Sequence, residues 1–69
     1  MTTAQLIKNQ LDRIPVDFTG HRDMEILVRL TDRAEKTAAR VETLSNGIRF
    51  NFFDGSALTY NAQAERAEL

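Results

Sequence analysis

Five of the nine cationic side chains in this 69-residue chain, Arg22, Arg29, Arg33, Lys36 and Arg40, recur at intervals that gather them on one stripe of an α-helix at about 100° per residue. Guanidinium groups in such a row suit bidentate recognition of carboxylate or phosphate. From Arg22 to Arg40 the row would extend about 27 Å at 1.5 Å per residue, enough to follow a phosphate backbone or an acidic groove on a protein. Glu25, Asp32, Glu35 and Glu42 lie beside it and partly neutralise it, as on any solvated helix face. The net charge of −1 argues against a dedicated polyanion binder and equally against an acidic mimic of nucleic acid.

Other chemistry has less to build on. His21 with Asp17 and Asp23 is the one combination with metal-ligand character, but metal centres gather three or four ligands with a supporting shell, and a loop imidazole beside two carboxylates is commonplace. No metal or cofactor is expected. Ser45 and Ser56 fall in turn positions, cysteine is absent, and the dispersed glycines Gly20, Gly47 and Gly55 each suit a turn rather than a phosphate cradle. The expectation is a protein without catalytic residues.

The elements that would position these side chains can be read in order. Thr2 or Thr3 caps a short first helix whose apolar residues Leu6, Ile7, Leu11 and Ile14 recur at helical spacing, and Pro15 ends it. Residues 15–21 form a connection in which Val16 and Phe18 are expected to tuck inward, with Thr19 or Gly20 starting the next element. Residues 21–45 read first as one long amphipathic helix, with Met24, Leu27, Val28, Ala34 and Ala38 opposite the cations. Glu25 with Arg29 and Asp32 with Lys36 form i,i+4 pairs along it, and Gly47 ends it in a left-handed conformation. Two alternatives put a strand at 25–30, or a strand at 40–44 leading into Asn46-Gly47, giving a three-stranded sheet.

Ile48 to Phe53 and Ala57 to Asn61 flank Asp54-Gly55-Ser56 as an antiparallel hairpin. A loop with an odd number of residues keeps Ile48, Phe50, Phe52, Leu58 and Tyr60 on one face, and Asp-Gly-Ser as that loop pairs Phe52 with Leu58 and Phe50 with Tyr60. Arg49, Asn51, Phe53, Ala57, Thr59 and Asn61 then face outward, which makes Phe53 an exposed aromatic beside the loop with the character of a binding anchor. The fold class expected is α+β, with a single domain over residues 1–61 and a tail, or a frayed helical turn, over 62–69.

A chain of 7.8 kDa buries only roughly 60% of the surface it exposes unfolded, so its core is thin. Disulfides are excluded by composition, and pairing of free strand edges to form a homodimer is the expected support. No apolar run approaches bilayer length and no secretory signal opens the chain, which points to a cytoplasmic location. In size, lack of cysteine and plain α+β plan the chain looks like the small orphan proteins carried by bacteriophages and other mobile elements, the anti-CRISPR inhibitors among them. That likeness implies a non-enzymatic protein that binds and inhibits a larger protein or ribonucleoprotein assembly, here through Phe53 and the cations from Arg22 to Arg40. The alternative is a small dimeric nucleic-acid-binding regulator whose cationic stripe contacts phosphates.

Overall fold

The computed structural model describes all 69 residues. The chain is α+β: helix α1 (Thr3–Asp12), helix α2 (Met24–Thr37) and four strands, β1 (Ala38–Leu44), β2 (Gly47–Phe52), β3 (Ala57–Asn61) and β4 (Arg66–Glu68). The strands form one antiparallel meander in the order β1-β2-β3-β4. Both helices lie on one face, α1 over β3 and β4 and α2 over β1 and β2.

Thr2 caps α1 by accepting the Gln5 N–H at 3.1 Å. The other free N–H groups of its first turn are met from far along the chain. Asp54 accepts from Thr3 at 2.8 Å, and the Ser56 hydroxyl accepts from Ala4 at 3.1 Å. The β2–β3 loop is thus a cap for α1 as well as a turn. Asp23, rather than Thr19 or Gly20, opens α2, its carboxylate accepting from the N–H groups of Glu25 and Ile26.

The long helix expected over 21–45 ends at Thr37, and the strand expected only as an alternative at 40–44 is present as β1. A helix of 25 residues would measure about 37 Å, as long as the molecule's longest axis of 36 Å, and would run past the sheet it has to cover. From Ala38 the pattern changes to period two: Val41 and Thr43 oppose Phe50 and Ile48 on the helix side, while Arg40 and Glu42 oppose Asn51 and Arg49 on the other. Ala39 is an extra residue in this ladder, so the register shifts between Ala38 and Arg40. The alternative strand at 25–30 is helix instead.

The hairpin parity is as read, with one correction. The loop is Phe53-Asp54-Gly55, so Phe50 opposes Leu58 and Ile48 opposes Tyr60. The Phe52 N–H donates to the Ser56 carbonyl at 2.8 Å, and Gly55, at φ +84°, donates its N–H to the Phe52 carbonyl at 3.1 Å. Because the shift is by a whole side-chain period, the same five apolar residues still share the inner face. Gly47 has no positive φ; it starts β2.

Residues 62–69, expected as a tail, are a four-residue turn and strand β4. Asn61 holds the turn by accepting from Gln63 and Ala64, and Glu65 takes the left-handed conformation at φ +53°. Ala67 is then buried against Tyr60. The core comprises Ala4, Ile7, Leu11 and Ile14 from the first helix and its end, Leu27 and Ala34 from α2, and Phe50, Phe52, Leu58, Tyr60 and Ala67 from the sheet.

Candidate functional site

Phe53 sits at the β2–β3 tip and is 83% exposed. Its loop is held firmly. Asp54 accepts from the Ser56 hydroxyl, the Ser56 N–H at 3.0 Å and the Thr3 N–H, and these bonds hold its carboxyl well below the usual carboxylate range. An aromatic ring on a loop fixed in this way loses little conformational freedom on binding, which is the property of an anchor residue.

Ala38 pairs with Phe52, so the last turn of α2 and the start of β1 lie at the same end of the molecule as Phe53. The structure therefore brings Arg33, Lys36 and Arg40 to the pole that carries Phe53. Lys36 pairs with Asp32 at 3.0 Å, whereas Arg33 makes no ion pair and is exposed. Arg29 lies further back along α2, and it and Glu25 do not close into the expected pair; Glu25 and Arg29 each remain solvated.

Two members of the cationic stripe leave it. Arg22 precedes α2 and bridges to Val16, and its guanidinium donates to the carbonyls of Leu11 at 3.0 Å and Glu65 at 2.7 Å. It ties the end of α1 to the β3–β4 turn. Arg40 lies in β1 on the face of the sheet away from the helices, 3.9 Å from Glu42. A five-cation row would need helix at both ends, and Asp23 and Thr37 bound the helix inside it.

The loop between the helices corrects a second expectation. Asp17 accepts from the Thr19 hydroxyl and from the N–H groups of His21 and Thr19, which lowers its pKa and closes residues 16–22 into a tight turn with Gly20 at φ +87°. Val16 and Phe18 point outward rather than inward, and Phe18 is fully exposed. The turn is too short to fold its tip back onto the core. The His21 ring reaches Glu65 at 3.2 Å, Asp23 is engaged as a helix cap, and the Asp17 carboxylate is taken up by Thr19 and the His21 backbone N–H, so the three side chains of that combination do not converge.

A groove of about 400 Å³ runs between α2 and the sheet, lined chiefly by Met24, Leu27, Val28, Ile48, Phe50 and Tyr60. Asp32 and Glu35 form its acidic rim. Burial raises the pKa of the Tyr60 phenol at its floor. The exposed loop apolars and the groove had no signal in periodicity, because both arise from how far the thin core extends.

Compared with family models, curated proteins and solved structures, the chain matches none.

Proposed function

We propose that this protein acts by binding, without catalysis, inhibiting a larger protein or ribonucleoprotein assembly in the manner of small phage-borne inhibitors. The observation that supports it is Phe53, an almost fully exposed aromatic on a loop that three hydrogen bonds to Asp54 hold in place. Arg33 and Lys36 at the same pole supply a cationic rim, so the complementary surface is an apolar pocket bordered by carboxylates or phosphates. The continuous track that a nucleic-acid reading would use is shortened to Arg29, Arg33 and Lys36 within α2.

The test is affinity purification of the tagged protein from its native cells, followed by binding measurements on whatever assembly copurifies. Phe53→Ala is expected to weaken that binding about thirtyfold, the scale of an interface hot spot of about 2 kcal/mol. Arg33→Glu with Lys36→Glu should weaken it further and remove its salt dependence. Unchanged affinity in the triple variant, with its thermal midpoint preserved, overturns the reading.

A further inference from the structure

β1 ends the sheet, and its free edge is self-complementary. The Phe52–Ser56 bond and the 2.7 Å bond from the Ala62 N–H to the Asn46 carbonyl show that even-numbered residues of β2 turn their backbone groups toward β3. The odd-numbered residues, Gly47, Arg49 and Asn51, therefore face β1 and bond to Leu44, Glu42 and Arg40. It follows that Val41 and Thr43 turn their N–H and C=O groups outward, where no strand of this chain lies.

An antiparallel copy of β1 centred on Val41 meets these groups in register. Val41 exchanges both hydrogen bonds with Val41 of the second copy, and the regular pairing runs from Arg40 to Glu42, ending where Ala39 bulges from the ladder. On the open face of the sheet, Arg40 falls directly across from Glu42 of the second copy, and Glu42 across from its Arg40. A shift of the centre by one residue in either direction places like charges opposite each other, at Arg40 or at Glu42. Val41, still 37% exposed, becomes covered on the helix side next to its counterpart.

We propose that the protein forms a two-fold symmetric dimer by edge pairing of β1 through this register, producing one eight-stranded antiparallel sheet with all four helices on one face. The occupant is a second copy of this chain because the charge order around Val41 matches its own reverse. An isologous contact of this kind closes on itself and leaves only the three-residue β4 at each outer edge. The pairing uses neither Phe53, Arg33 nor Lys36, and its readout is self-association, so it is tested separately from the proposed function.

The experiment is sedimentation equilibrium on the full chain and on two charge variants, Arg40→Glu and Glu42→Arg, each checked for folding by circular dichroism. The wild type is expected at twice the 7.8 kDa chain mass. Each variant alone sets like charges opposite one another twice, and its dimer dissociation constant should rise about tenfold or more. Mixed in equal amounts, the two variants regain opposite charges at both positions, and a heterodimer should form with near wild-type affinity. A monomeric wild type overturns the proposal. So does a dimer insensitive to both variants, or a mixture that associates no better than its components; where a variant fails to fold, Val41→Pro, which blocks the central pair of bonds, should give monomer.

Discussion

At Gly47, β2 passes so close to β3 that an added Cβ would fall inside the carbonyl oxygen of Tyr60. The backbone offers no flexible atom that could move aside, so Gly47→Ala should force β2 and β3 apart and cost about 2 kcal/mol or more, read as a lower urea midpoint. Asp54 is a residue of a different kind. Its carboxylate closes the hairpin loop and caps α1 at once, and its folded pKa lies below its unfolded value near 3.9. A group depressed in this sense contributes stability above its unfolded pKa and loses it as pH falls through the window beneath. Asp17, depressed by Thr19 and His21, acts in the same direction. The thermal midpoint should therefore drop on acidification below about pH 4, and Asp54→Asn should be less stable than wild type at pH 7 while showing a shallower acid limb. An acid limb of equal slope in both proteins would remove Asp54 as its source.

The elements were legible to different depths. The Thr2 cap, the helical spacing from Leu6 to Ile14 and the alternation from Ile48 to Tyr60 are local patterns, and each produced the element its period implies. The stretch from Ala38 to Leu44 is not decided locally. Its one cation, Arg40, continues the helical stripe while Val41 and Thr43 alternate as a strand, and the sheet resolves the conflict because Phe50 and Ile48 need a neighbour on that side. Arg22 falls on the stripe by spacing alone, since nothing within its own segment reveals the Leu11 and Glu65 carbonyls it binds. Of the candidate site, Phe53 could be read from hairpin parity, whereas its proximity to Lys36 depends on the pairing of Ala38 with Phe52. Because Arg22 joins α1, the inter-helix turn and the β3–β4 turn, Arg22→Ala should cost about 1–3 kcal/mol by removing both hydrogen bonds and leaving the Glu65 carbonyl without its partner, while the Leu11 carbonyl keeps the Ile14 N–H. The partner binding proposed for Phe53 should be unaffected at temperatures where the variant is folded, and a loss of binding there would place Arg22 in the interface.

Taken as a whole, the molecule is one layer of helices on one layer of sheet, and its inner layer holds few large side chains. Phe50, Leu11 and Leu58 are the largest that are wholly enclosed. A chain of this length is expected to have about 3–10 kcal/mol of stability, so the loss of any covering element is felt throughout. β4 is the smallest of these elements and the one whose sequence, Arg66-Ala67-Glu68, shows least of its role. Ala67 is nevertheless part of the core, next to Tyr60, and α1 packs over β3 and β4. Without β4, Tyr60 and Leu58 would lie in an edge strand, the Glu65 carbonyl would no longer hold Arg22, and α1 would lose one of the two strands beneath it. Truncation after Asn61 should therefore cost about 2 kcal/mol or more, lowering the midpoint by roughly 8–16 °C at the 4–8 °C per kcal/mol of a domain this size. Removing Leu69 alone, which is exposed and outside β4, should leave the midpoint unchanged. If the truncated chain melted with the full one, the last eight residues would be an appendage, and the sheet would be held by β1 to β3 with α1 resting on β3.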